Sequence, residues 1–303
     1  MKILVTDADG QLGRALDRLL SARGIPSIML SDAQLDLSDA NAVAAALEHH
    51  QPDYVVNARM FGDLEPQEPE PSGWDLAYEQ GVRVLADACQ RAGAALLHLS
   101  SERVFDGSKA TAYTENDTLQ PVTPIGRSQQ RAETAVREHC EHSLILRSSW
   151  IFGPDGHNFL TYIIDQAQTS DVIRIVDTQR GCPTAAVDLA RVVLAMLEQV
   201  DCDVEPALWG IYHYAGSDVT HWHIFAEAIV KAAKKYLEGE VDTVEAVYLS
   251  AEDQSRRPQN LELSTRKILA TFGIKQMPWR RGVQDALKEC FEGPDMQGRD
   301  ILS

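Results

Sequence analysis

Apolar residues along the chain alternate between two spacings. "KILVT" is a short β-rich apolar run, and "DADGQLGRALDRLLSARG" after it carries Leu12, Leu16, Leu19 and Leu20 at helical spacing. "IPSIMLS" predicts a second strand, and "LSDANAVAAALEHH" an Ala-rich helix capped by Ser38 or Asp39. "PDYVVNA" predicts a third strand, and the Pro- and acid-rich "FGDLEPQEPEPSG" a loop. "DLAYEQGVRVLADACQRAG" is a strong amphipathic helix and "ALLHLSS" a fourth strand. Further along come a helix at about Gln129–His142, a strand "SLILRSS", a helix "NFLTYIIDQAQ" and a strand "VIRIVD". "TAAVDLARVVLAMLEQ" reads as a helix, "GIYHYAG" as a strand, and "HWHIFAEAIVKAAKKYLEG" as a helix. "RRPQNLELSTRKILATFG" is a loop leading into a short helix. Strands alternating with helices in this way predict a parallel sheet with helices on both faces. Ligands of such sheets bind beyond the carboxyl ends of the strands.

Composition narrows the class. Of 303 residues, 44% are hydrophobic and 24% charged, as in ordinary soluble globular proteins. No apolar run of the length a membrane span needs is present, and "MKILVTDADG" enters a strand pattern without a signal-peptide layout, so a cytoplasmic protein is expected. The formal net charge of −17 argues against partners such as nucleic acid or an anionic membrane. The five Cys are scattered, with no C-x-x-C, which predicts free thiols. His221 and His223 in "HWH" are two apart and make no metal pair on a helix face, so no metal site is expected. No G-x-S-x-G signals a hydrolase.

Several segments in register resemble the dTDP-4-dehydrorhamnose reductase family, a branch of the extended short-chain dehydrogenases. They are "GQLGRAL", "LDLSD", "LSSERVFDG", "YTEND", "LRSSWIFG", "VDTQRGCPTAAVDLA", "GIYHYAG" and "RRPQNLELSTRKI", and together they span nearly the whole chain. The resemblance implies an α/β fold: a Rossmann-type doubly wound parallel sheet with a smaller C-terminal α/β substrate lobe. Residues 1–150 would form the dinucleotide-binding part, with segments near 173–215 returning to it. Residues 151–293 would be mainly the smaller lobe, and 294–303 a flexible tail. In that layout Gly10, Gln11, Leu12 and Gly13 approach the pyrophosphate of NAD(P). Ser31, Asp32 and Asp36 lie toward the adenosine ribose, where Asp32 favours NAD over NADP, and Asn57 and Ala58 line the crevice. Val104, Trp150, Asn158, Arg180 and Arg257 fall at positions similar to the family's sugar-nucleotide contacts. Arg180 suits a diphosphate as a bidentate donor; the structural alternative pairs it with Asp177 or Asp188 and puts Trp150 in the core.

The match fails where the family's chemistry lies. The resemblance implies a Ser or Thr, a Tyr, a Lys and an Asn that together protonate a developing alkoxide and hold the nicotinamide ribose. Ser101 keeps the hydroxyl, but the Tyr, Lys and Asn positions fall on Ile125, Gln129 and Tyr78. Gly126 and Glu133 match the frame around them and fix that register. Tyr113, the other nearby Tyr, has Asp117 four residues on and reads as loop. Loss of one positioned general acid costs about 10²- to 10⁴-fold. The Gly-rich turn is altered too: Asp7 stands at its first Gly, Asp9 brings a second carboxylate or caps the helix, and Arg59 replaces a small residue facing the same turn. Arg59 would neutralise Asp7 or fill the groove. NAD(P) binding is therefore expected to be weakened or absent. Two functions stand open. One is a pseudoenzyme acting as a scaffold, regulatory or nucleotide-sugar-binding protein, with a protein partner or a second copy of itself; a regulatory subunit of methionine adenosyltransferase belongs to a similar branch. The other is a working NAD(P)H-dependent reductase of a dTDP-4-keto-6-deoxy sugar that uses a displaced acid, with Tyr78 a substitute hydroxyl.

Overall fold

A computed structural model describes residues 1–59, 74–202, 208–237, 243–250 and 258–293. The predicted loop "FGDLEPQEPEPSG", the tail 294–303 and Arg257 lie outside the described residues.

The first half alternates strand and helix: β1 (Ile3–Thr6), α1 (Gln11–Arg23), β2 (Ser27–Leu30), α2 (Ala40–His50), β3 (Tyr54–Asn57), α3 (Trp74–Ala92), β4 (Ala95–Ser101), α4 (Pro124–His139) and β5 (Ser143–Ser148). The second half carries β6 (Ile151–Phe152), α5 (Phe159–Thr169), β7 (Val172–Val176), β8 (Arg180–Gly181), β9 (Thr184–Ala185), α6 (Ala186–Cys202) and β10 (Gly210–His213). It ends with β11 (Thr220–His221), α7 (Trp222–Ala233), β12 (Thr243–Val247), α8 (Arg266–Phe272) and α9 (Trp279–Glu292).

A six-stranded sheet runs β10-β5-β4-β3-β1-β2, and every neighbouring pair is parallel. Its strands are nearly continuous apolar runs because both faces are covered. Ile3 and Val5 of β1 enter one core with α1, α6 and α8, while Leu4 between them enters the other with α2, α3 and α4. The same alternation separates Val56 from Val55 and Leu97 from Leu96. Chain order reverses beside β1, which has β2 on one side and β3 on the other, so the crevice at the carboxyl ends of β1 and β3 is the topological switch point.

A further core gathers α5, α7 and α9 with Trp150, Ile173, Ile175 and Ala185. This corrects the expected boundary. β7 pairs with β12 and packs in that third core, so the return to the main sheet begins with α6 rather than near residue 173, and α8 joins it through Ile268 and Phe272. α4 also starts earlier than its expected Gln129. Thr123 caps it by accepting from the Gly126 N–H, and Pro124 stands in its first turn, where a missing N–H costs nothing. Asp39 rather than Ser38 caps α2, accepting from the N–H groups of Asn41 and Ala42.

Candidate functional site

The crevice is shaped by the turn after β1. Asp7 adopts φ +54°, the left-handed region that favours glycine. A Cβ on Gly10 would lie 2.3 Å from Asp7 Oδ2, and one on Gly13 would lie 2.2 Å from the Asp7 carbonyl oxygen. Gly13 is therefore required by close approach of the backbone, and the Asp7 carboxylate lies across the face of Gly10. Asp9 does not cap α1. The N-cap is Gly10, and the Asp9 carbonyl accepts from Arg14 Nε at 2.9 Å. Gln11 opens the helix with Oε1 buried and without a hydrogen-bond partner, 4.0 Å from where a Cβ on Gly153 would stand. Leu12 is core.

On the adenosine side, Ser31 N–H and Oγ both donate to Gln34 Oε1, at 2.9 and 3.2 Å. Asp36 accepts from the Ser38 hydroxyl and N–H, which hold its carboxyl below the usual range. Arg59 does not turn to Asp7 in an ion pair; its Nη1 meets Asp32 Oδ2 at 2.7 Å. Asp32 follows β2 and Arg59 follows β3, and these strands flank β1, so the ion pair bridges the crevice over the end of β1. Asn57 is buried and spent: its Oδ1 accepts from Thr6 Oγ1 at 3.0 Å and its Nδ2 donates to His98 Nδ1 at 3.1 Å. Ala58 is core.

At the ends of β4 and β5, Ser101 Oγ donates to Gln129 Oε1 at 2.6 Å and accepts from the Arg103 N–H at 3.2 Å. Ile125 is buried one helical turn before Gln129, on the same face of α4. Tyr78 is packed on α3 against His98, with ring centroids 6.4 Å apart, and burial pushes its phenol up, opposed by the nearby Arg59 charge. A phenol so shifted is a poor acid. Tyr113 is no substitute: its hydroxyl donates to Asp106 Oδ1 at 2.6 Å, and its ring stacks on Phe105.

The residues expected on the sugar-nucleotide side are mostly structural. Val104 is fully buried with Phe105, Tyr113 and Leu263. Trp150 is buried and stacks on Trp222 with centroids 3.6 Å apart, and Gly181 leaves room for its ring. Asn158 caps α5 in a capping box with Thr161, while its Nδ2 donates to the carbonyls of Gly153, Asp155 and Gly156. Its polar atoms are committed to holding the loop. Arg180 pairs with neither Asp177 nor Asp188; its Nη2 donates to Glu262 at 2.8 Å, and its Nε is buried without a hydrogen-bond partner.

One buried network was not foreseen. Arg147 on β5 makes a bidentate contact with Glu133 on α4 at 2.8 and 2.6 Å, and Ser100 donates to the same carboxylate at 2.6 Å. Arg147 Nη1 donates to His213 Nε2 at 3.2 Å, so His213 carries its proton on Nδ1 and donates it to the Tyr113 carbonyl. Burial and the Arg147 charge push His213 down to about 3. An Arg inside the apolar strand "SLILRSS" was the signal for it. Among the described residues no group of His, Cys, Asp and Glu could hold a metal ion, and no helix is long and apolar enough to cross a membrane.

A doubly wound parallel sheet with a Gly-rich turn at its switch point defines an α/β fold of the Rossmann type. The RmlD substrate binding domain family matches residues 1–291, and the chain belongs to that family. It is 33% identical to a dTDP-4-dehydrorhamnose reductase of Aggregatibacter actinomycetemcomitans, covering 94% of this chain and 97% of the relative. It is 32% identical to the spore coat polysaccharide biosynthesis protein SpsK of Bacillus subtilis, covering 95% and 97%. Among solved structures, the dTDP-4-dehydrorhamnose reductase of Bacillus anthracis in complex with NADP superposes with a TM-score of 0.82 at 26% identity, over 95% of this chain and 100% of that one.

Proposed function

We propose that this chain is a non-catalytic member of the reductase family, a cytoplasmic scaffold or regulatory protein that holds a sugar nucleotide and binds NAD(P) weakly or not at all. The observation that carries this reading is the Ser101–Gln129 hydrogen bond beneath Ile125. The positions that the resemblance assigns to a proton donor and its tuning cation hold an alkyl group and a neutral amide. Among the described residues neither nearby Tyr is placed to replace them: Tyr78 is packed against His98 and Tyr113 against Phe105. The cofactor side supports the same reading. A carboxylate lies at Gly10, and the Asp32–Arg59 pair crosses the crevice. At ~5 Å and an effective dielectric of ~20, Asp7 opposes a phosphate charge by roughly 3 kcal/mol before screening.

The other reading, a working NAD(P)H-dependent reductase, is favoured by the two retained glycines at the start of α1 and by relatives named as reductases. Titration with NADH and NADPH, followed by an assay of dTDP-4-dehydrorhamnose reduction, separates the two. The expected result is weak or no dinucleotide binding and no turnover above background. Turnover within tenfold of an ordinary reductase would sink the non-catalytic reading.

A further inference from the structure

The Ser101–Gln129 pair has a hydrogen-bonding remainder that can be counted. A Ser hydroxyl offers one donor and two acceptor positions, and a Gln amide offers two donors and an acceptor oxygen. Ser101 gives its proton to Gln129 Oε1 and accepts the Arg103 N–H. What remains for a ligand is one acceptor position on Ser101 Oγ, one lone pair on Gln129 Oε1 and the N–H groups of Gln129 Nε2. Exchanging the amide oxygen and nitrogen of Gln129 changes the owners but not the sum: Ser101 then keeps a free O–H, and Gln129 keeps one N–H and both lone pairs of its oxygen. In either arrangement the pair presents a donor beside an acceptor.

A ketone oxygen accepts only, so it answers the donor and leaves the acceptor unpaired. An alcohol both donates and accepts, so it answers both. Ser101 and Gln129 are 5% and 2% exposed, which makes an unanswered group at this place costly. Ile125 adds an apolar wall and no competing donor. The same strand ends hold further polar atoms without a partner. Ser148, the register partner of Ser101, and Ser149 after it have Oγ atoms that are buried without a hydrogen-bond partner.

We propose that the Ser101–Gln129 pair is a binding site for a sugar hydroxyl, so that this protein holds the alcohol form of a 6-deoxyhexosyl nucleotide in preference to its 4-keto form. The proposal rests on the reading of the chain as a sugar-nucleotide-binding protein.

The test is calorimetric titration of the full chain, without dinucleotide, using dTDP-L-rhamnose, dTDP-4-dehydrorhamnose and the 4-deoxy analogue of dTDP-rhamnose. The alcohol is expected to bind at least about tenfold more tightly than the other two, since a site built to pair a hydroxyl rejects analogues that leave it unpaired. Equal or tighter binding of the ketone overturns this inference and leaves the sugar-nucleotide reading standing. Failure of all three to bind overturns both. In Gln129→Leu the Ser101 proton is released to serve a ketone, and the gap should shrink to within about threefold. A tenfold gap that survives in a folded Gln129→Leu protein removes the assignment to this pair.

Discussion

Asp7 is held at φ +54° by the turn around it, where Gly10 and Gly13 pack against its side chain and its carbonyl. An L-residue in the left-handed region costs about 1 kcal/mol, somewhat less for Asp, and Gly removes that strain. Asp7→Gly is therefore expected to raise stability by about 0.5–1 kcal/mol, read as a higher denaturation midpoint. It also removes a carboxylate from the place where the family's layout puts a pyrophosphate, so NADPH affinity measured by fluorescence titration should rise by about tenfold or more. A stabilised protein with unchanged NADPH affinity would show that Asp7 shapes the turn without guarding it. At this scale the sequence was legible where conformation depends on one atom: a Cβ at a glycine position announces itself. It was not legible where a side chain has a choice of partners. Arg59 and Arg180 each had more than one charged group within plausible reach, and each took a partner outside the expected ones.

At the scale of elements, the buried Glu133–Arg147 pair ties α4 to β5, and both side chains are at most 2% exposed. It fixes α4 against the sheet four residues after Gln129, so the Ser101–Gln129 contact inherits its geometry from this bridge. Arg147→Met leaves Glu133 buried with only the Ser100 hydroxyl to answer it. Breaking one side of such a pair costs about 3–5 kcal/mol, against about 0–1 for the exposed Arg59–Asp32 pair. Chemical denaturation should show that difference between Arg147→Met and Arg59→Met. Similar losses in both would mean that the buried pair contributes little to holding α4. The long elements were readable because their apolar period matches their burial. The apolar period places the start of α4 at Gln129, whereas Thr123 and Pro124 set it earlier by a capping role that is local and specific. α9 shows the same match, with Trp279, Val283, Ala286, Leu287 and Cys290 as its buried stripe. The two-residue strands β6, β8, β9 and β11 carry no period at all, since they are set by tertiary packing alone.

Across the whole molecule, two imidazoles sit in different parts of the sheet and titrate in the same direction. His98 on β4 is fully buried, and burial pushes it down to about 4. His213 on β10 is pushed down to about 3 by burial and then by the Arg147 charge, with Lys267 adding to the effect and the Tyr113 carbonyl opposing it. Both bind fewer protons in the folded state than in the unfolded chain, whose histidines titrate near pH 6.5. Their contribution to stability is complete above pH 6.5 and is lost as the pH falls from there toward the folded values. Each group can remove up to about 1.4 kcal/mol per pH unit inside that window. A loss of about 2–4 kcal/mol is therefore expected between pH 7 and pH 5, before most carboxylates begin to protonate. The charge of −17 pulls the other way, because acidification relieves self-repulsion on the surface. That relief is spread over many exposed groups and is screened by salt, whereas buried imidazoles are screened much less. Urea midpoints measured at pH 7, 6 and 5 in 0.2 M salt should fall steadily. In His213→Gln the fall should be shallower, since one of the two most strongly shifted imidazoles is gone. A midpoint that holds constant or rises on acidification would mean that surface repulsion outweighs the buried imidazoles.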